Sequence, residues 1–305
     1  MDIEPEAVLR TLARPDVARA LLHHPRRATM VNTTGNYYHV VNGQYAPLSG
    51  LHRRIDAVFC TEEAPTDWRR APRKKRAPHK RVKRARGAKG TGGGRFAGLI
   101  KGSRVHAEMR AFALYDARAF NKTHDGGVHS YVTRLMEAIV KLRRWTPFLP
   151  EFEHYDEALG LGTQADLVAV DAAGDLVLLE IKTGYADYWT RADGMMRGCL
   201  ARLPNSPCNR ATLQIAISGL VLQRRYGVPA ARMHLYVLRI DDAVIDIVPV
   251  PPRFLAELGD AIYADLLRYQ QALVAARAAP KKKETLCRTL APPARRPASS
   301  WKRAH

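Results

Sequence analysis

The run from Gly162 to Gly184 constrains this chain more than any other. Leu167-Val168-Ala169-Val170 and Leu176-Val177-Leu178-Leu179 are apolar stretches separated by a short turn that carries Gly174. That pattern predicts a β-hairpin. With a three-residue loop, Ala172 to Gly174, Asp171 opposes Asp175, Val170 pairs with Leu176, Val168 with Leu178, and Asp166 with Glu180. Directly opposed side chains share a sheet face at roughly 4.5–5.5 Å between Cβ atoms. Side chains alternate along a strand, so Lys182 joins Glu180 on that face and Ile181 points to the other. A slip of one residue would carry Asp166 to the wrong face.

Two carboxylates and a lysine thus converge where buried strands run out. Two readings of this group stay open. In the first, Glu180 and Lys182 are strand-end charges, Asp166 is a turn residue, and E-x-K is a common, weakly specific pattern. In the second, the acids hold a cation, because unpaired carboxylates are costly to keep so close together otherwise. Hard divalent ions such as Mg²⁺ take oxygen ligands and retain several waters. A metal so held polarises a phosphodiester and activates water, while Lys182 orients that water or stabilises charge on the phosphate.

Other segments extend the pattern. Upstream, Gly102-Ser103-Arg104-Val105-His106-Ala107-Glu108 opens a predicted helix from Ser103 to Phe120. Val105, Met109 and Phe112 mark its buried side, and His106 borders that stripe. His106 is therefore either a packed residue or a ligand leaning toward the sheet. Glu108, two positions on, lies on another face of the helix. Glu153 is a further acid just before the hairpin. Downstream, Asn209 to Ser218 predicts a helix on which Gln214 and its i+4 neighbour Ser218 make a polar strip on an otherwise apolar surface. That strip suits contact with a phosphate or with Lys182.

With Asp166…Glu180-Ile181-Lys182 as its centre, this set resembles the PD-(D/E)XK nuclease superfamily, specifically its RecB-like branch. The segment at 102–106 resembles that branch's G-x-x-x-H motif, and Gln214 to Ser218 its Q-x-x-x-Y helix; Tyr226-Gly227 and a strand, Met233 to Ile240, follow in the expected order. The resemblance spans about residues 98–245. It implies a restriction-endonuclease-like α/β fold, a mixed central sheet flanked by helices. It also implies Mg²⁺ or Mn²⁺ as cofactor, held by His106, Asp166, Glu180 and Ile181, with Asp166, Glu180, Lys182 and Gln214 as catalytic residues and DNA as partner. Two positions depart from the pattern. Ala165 stands where the family has proline, which leaves the acid intact; Ser218 stands where it has tyrosine, which removes any stacking or phenolic role there.

Charge distribution adds a second constraint. Every charged residue from Trp68 to Ile100 is Lys or Arg, and from Ala278 to His305 Glu284 is the one acid among many bases. Together these segments account for the whole formal net charge of +20. Both are rich in Pro, Gly or Ala and poor in bulky apolar residues, so a disordered basic linker and C-terminal tail are expected. Such runs bind nucleic acid or serve as nuclear import signals, notably Arg73-Lys74-Lys75-Arg76 and Lys80 to Arg86. No aromatics interleave the basic residues from Arg69 to Arg95, so no base-stacking platform is expected there.

The chain of 305 residues divides into an N-terminal region (1–63), the linker (64–97), the nuclease-like domain (98–277) and the tail (278–305). In the N-terminal region a helix from Glu4 to Leu22 and a β-like stretch, Tyr37 to Val41, are expected. A second domain helix is predicted from Ser130 to Arg144. The insert Tyr185 to Pro207 predicts a helix plus loop near the mouth of the site. No apolar run of about 18 residues occurs, so no membrane span is expected. The mixed, acidic N-terminus does not resemble a signal peptide. Cys60, Cys199, Cys208 and Cys287 are irregularly spaced with no C-x-x-C pair. That predicts a reduced intracellular setting without zinc, and no iron–sulfur cluster of the kind some RecB-like relatives carry.

Overall fold

The hairpin at the centre of the chain forms in the expected register. Leu176 pairs with Val170, Leu178 with Val168 and Leu179 with Leu167. Asp171 caps the turn, its Oδ1 accepting from the N–H groups of Ala173 and Asp175, each at 2.9 Å. Gly174 takes φ +81°, a left-handed conformation that only glycine adopts without strain.

Around this hairpin the computed structural model of the protein describes residues 5–33, 36–42, 44–60, 103–111, 130–183, 189–242 and 244–278. Eight strands make one mixed sheet: β1 (Met30–Thr33), β2 (Asn36–Val41), β3 (Gln44–Gly50), β4 (Thr146–Asp156), β5 (Leu161–Val170), β6 (Leu176–Thr183), β7 (Met233–Ile240) and β8 (Ile245–Pro249). Their order is β1-β2-β3-β5-β6-β7-β8, with β4 laid along β5. The β3–β5 and β6–β7 pairs are parallel and the rest antiparallel. This is the α/β architecture expected, a mixed sheet flanked by helices.

Alternation along the strands sorts the core into two layers. Val168, Val170, Leu176 and Leu178 face a cluster that holds the Pro207–Arg225 helix, part of the Pro252–Ala278 helix and the N-terminal helices. Leu167, Ala169, Val177, Leu179 and Ile181 face Val105 and Met109 of the helix at 103–111, together with the Ser130–Met136 helix and its π-type continuation Glu137–Leu142. The Pro207–Arg225 helix starts cleanly. Ser206 Oγ accepts from Asn209 N–H, and Pro207 occupies the first turn, where a missing N–H costs nothing. The helix is buried continuously from Leu213 to Leu222, so the polar Gln214 and Ser218 sit inside the protein.

Several expectations change. The single N-terminal helix is two, Pro5–Thr11 and Asp16–Leu22, broken at Pro15, because proline pushes the residue before it out of helical geometry. These helices share the main core with the sheet: Leu9, Leu21, Ile55 and Phe59 are all fully or nearly buried in it. Between Trp189 and Ser206 no α-helix forms, only the 3-10 turn Gly198–Leu200. That stretch packs through Trp189, Met196 and Leu200 into the core, and Arg197 N–H bonds Phe59 O. It does not line the mouth of the site. Residues 112–120 of the predicted first domain helix, the basic linker and residues 279–305 of the tail lie outside the described residues. Among the described residues no helix is long and apolar enough to cross a membrane.

Candidate active site

The β5–β6 ladder ends at the pair Leu167–Leu179, one step before Asp166 and Glu180. Beyond that point β5 leaves β6 and pairs with β3 instead, Ser49 beside Leu161 and Gly50 beside Gly162. Residues Thr163 to Ala165 therefore keep β4 on one side and have no ladder partner on the other among the described residues, and Asp166 is paired on neither side. Here the sheet opens into a cavity of about 410 Å³ lined by His106, Asp166, Glu180, Lys182 and Gln214. The five side chains singled out by the resemblance thus meet at one split in one sheet.

Each is held by a definite contact. Asp166 Oδ2 accepts from Ile181 N–H at 2.6 Å, replacing the backbone bond that the diverging strands no longer make. Its Oδ1 lies 3.3 Å from His106 Nδ1, brought in by the helix at 103–111. Glu180 is buried, and its Oε1 accepts from Lys182 Nζ at 2.5 Å. Lys182 Nζ also donates to Gln214 Oε1 at 3.2 Å, reaching the helix that covers this face. Ile181 turns its side chain into the opposite core layer and spends its N–H on Asp166, so only its carbonyl is left to offer a ligand. Ser218, one turn after Gln214, is fully buried, and its Oγ has no hydrogen-bond partner among the described residues.

The two carboxyls are driven apart in acidity. Burial works to raise Asp166, but His106, Lys182 and the Ile181 N–H outweigh it and hold the group below the ordinary carboxylate range. Glu180 moves the other way, raised by burial and then by the charge of Asp166, against Lys182 and His106. Burial lowers His106, yet the facing Asp166 raises it overall.

Other acids weighed from the sequence stand elsewhere. Glu108 is fully buried in an ion pair with Arg104 at 2.5 Å on its own helix. Glu153 lies across from Gln164 on β4 and accepts from Asn32 Nδ2 at 2.8 Å. Sequence reasoning missed Tyr37, His52 and Arg53, which line the same cavity from the N-terminal region. The one signal for them was Gly162. A Cβ there would stand 2.6 Å from the Cβ of Tyr37, so the motif strand needs glycine for Tyr37 to approach.

No protein-family model matches the chain, and no curated protein matches it. Among solved structures it is similar to the crystal structure of SSO0001, at 12% identity over 58% of this chain and 76% of that one. The TM-score is 0.26, and a likeness at that level carries no argument.

Whether these residues fit a divalent cation is decided by their own chemistry. Two carboxylates and an imidazole suit a hard or borderline ion, and Glu180 Oε2 is buried with no hydrogen-bond partner among the described residues. A buried carboxylate oxygen with no donor facing it is available as a ligand to a cation. The arrangement is open, however: the donor atoms of His106, Asp166 and Glu180 do not all fall within 4.8 Å of one another. Asp171, Asp175 and His234, at the turn end of the hairpin, do come that close. That group is accounted for without an ion, since Asp171 caps the turn and Arg232 pairs with Asp175.

Proposed function

We propose that the protein is a divalent-metal-dependent nuclease that hydrolyses phosphodiester bonds in DNA, serving replication, recombination or repair, on the pattern of the RecB-like PD-(D/E)XK enzymes. The carrying observation is Glu180 Oε2, buried and without a hydrogen-bond partner among the described residues, beside Asp166 at the split in the sheet. His106, Asp166, Glu180 and the Ile181 carbonyl are the proposed metal ligands. When bound, Mg²⁺ or Mn²⁺ supplies polarisation of the phosphate ester and an acidified water.

The chain's own part is preorganisation. Asp166 is kept ionised by His106, Lys182 and the Ile181 N–H. Lys182, tied to Glu180 and Gln214, presents its ammonium to the cavity, where it stabilises charge that develops on phosphate oxygens. Gln214 acts through Lys182 as a positioning residue. The basic runs at 73–76 and 80–86 support DNA as the polymer and a nuclear setting.

A second reading, a non-catalytic basic nucleic-acid-binding protein on the same fold, draws on the pairing of both carboxylates with bases and on the open donor set. Incubation of labelled linear, circular and single-stranded DNA with Mg²⁺ or Mn²⁺ separates the two. The nuclease reading expects degradation that stops on adding EDTA. It also expects Asp166→Ala and Glu180→Ala to abolish cleavage with an unchanged circular-dichroism spectrum, and Lys182→Ala to lower turnover more than DNA binding. Cleavage by either acid variant at the unsubstituted rate would sink the assignment.

A further inference from the structure

We infer that the N-terminal region is the strand-binding wall of this site, with Tyr37 and Arg53 contacting phosphate oxygens of the strand to be cut. Cutting rests on the nuclease reading; the contacts rest on the cavity itself. The site faces its substrate with a charge problem. A phosphodiester that approaches Asp166 and Glu180 is repelled by both, and Lys182 sets one positive charge, shared with Glu180 and Gln214, against the two. An anionic polymer needs donors and positive charge on the side of the cavity that faces the acids.

The N-terminal region supplies them. It reaches the site through the parallel pairing of β3 with β5, which brings the Leu51–Ile55 helix to the rim. His52 and Arg53 are exposed on that helix and line the same cavity as the acids. Tyr37 enters from β2, seated against Gly162, and lines the same space. The hydroxyls of Tyr131, Tyr155, Tyr226 and Tyr263 are all hydrogen-bonded within the protein. That of Tyr37 has no partner among the described residues. Burial, then the neighbouring Glu153, Asp166, Glu151 and Glu180, push this phenol up to about 12, so it remains a protonated donor at any working pH. A partly buried donor in a field of carboxylates, beside an exposed guanidinium, fits a phosphodiester backbone. It does not fit an apolar ligand.

The test reads binding without metal, so that neither cleavage nor a bound cation contributes. Anisotropy of a labelled single-stranded oligonucleotide is followed in EDTA against salt concentration for the full chain, Arg53→Ala, and Lys141→Ala as a control on the remote Glu137–Leu142 segment. Arg53→Ala is expected to weaken binding several-fold and to lower the log–log salt slope by about 0.7, one single-strand phosphate contact, while Lys141→Ala keeps the slope. Tyr37→Phe keeps the ring on Gly162 and removes the hydroxyl alone. It is expected to lower kcat/KM about tenfold, the worth of one charge-assisted hydrogen bond, at an unchanged melting temperature. An unchanged slope in Arg53→Ala together with an unchanged kcat/KM in Tyr37→Phe overturns the wall, even if the chain cuts DNA. Absence of cleavage by the unsubstituted chain overturns the nuclease reading separately, because the slope is measured without metal.

Discussion

At the scale of single residues, His106 carries the sharpest ambiguity, because a histidine beside an apolar helix stripe is an ordinary packed side chain in most proteins. Here it is half-buried, faces Asp166 at 3.3 Å, and borders a cavity rather than the core. His106→Ala is expected to shift the metal dependence of cleavage to about 10–100-fold higher Mn²⁺, the range seen when a group that holds or orients a ligand is removed. A pure packing role predicts the opposite pattern, a lower melting temperature with the metal titration unmoved. His154 gives a residue-scale prediction of another kind. It is fully buried on β4, stacked on Phe152, with Nδ1–H donating to Phe152 O at 3.0 Å and Nε2 without a partner among the described residues. Burial pulls its pKa down to about 4, so the native state refuses a proton that the unfolded chain accepts below about 6.5. Its stabilising contribution is whole above pH 6.5 and declines as pH falls toward 4, at about 1.4 kcal/mol per pH unit and about 3 kcal/mol in all. Denaturant titrations at several pH values should show the native chain losing about one proton's worth more stability per pH unit in that window than His154→Leu; parallel curves would mean that the ring is not held neutral.

At the scale of elements, what was legible in the sequence was local. The register of the Gly162–Gly184 hairpin could be read because a short turn fixes it and the apolar alternation on both strands agreed with it. The expected Asp166–Glu180 pair does not form, since the ladder stops at Leu167–Leu179 where the strands diverge. The Gln214 helix was legible because its polar strip repeated at helical spacing. β4 was not, since Pro147 and Pro150 argue against a strand; they are tolerated because β4 pairs, among the described residues, with β5 alone and so is an edge strand. The N-terminal wall was hidden for a different reason. Its attachment, Ser49 beside Leu161, joins residues more than a hundred positions apart, and no local pattern encodes such a pairing. That junction can be tested at Gly162. A Cβ there meets Tyr37 Cβ at 2.6 Å and Leu48 Cδ1 at 3.2 Å, so Gly162→Ala is expected to cost about 1–3 kcal/mol in denaturant unfolding through overpacking. Tyr37→Gly in the same chain removes the opposing Cβ together with the ring, so the two losses should be less than additive. Strict additivity would show that the strain lies elsewhere.

At the scale of the whole molecule, chemistry and charge are segregated. The cavity and its acids belong to the folded sheet, whereas the excess positive charge belongs to residues 68–100 and 278–305, almost all of them outside the described residues. A body that is electrically balanced overall gains little affinity for DNA from long-range attraction, so the basic segments should supply most of the salt-sensitive binding. Replacing the Lys and Arg of residues 69–89 by Gln keeps the length of chain that must join Cys60 to the helix at 103–111 and removes only charge. Binding to duplex DNA should weaken, and its log–log salt slope should flatten by about 0.9 for each phosphate that is no longer neutralised. Cleavage should survive at low salt with saturating DNA, because none of the groups at the split in the sheet is touched. An unaltered slope would leave the linker the role of an address signal only. Failure to cleave under saturating, low-salt conditions would mean that the linker folds onto the site and completes it.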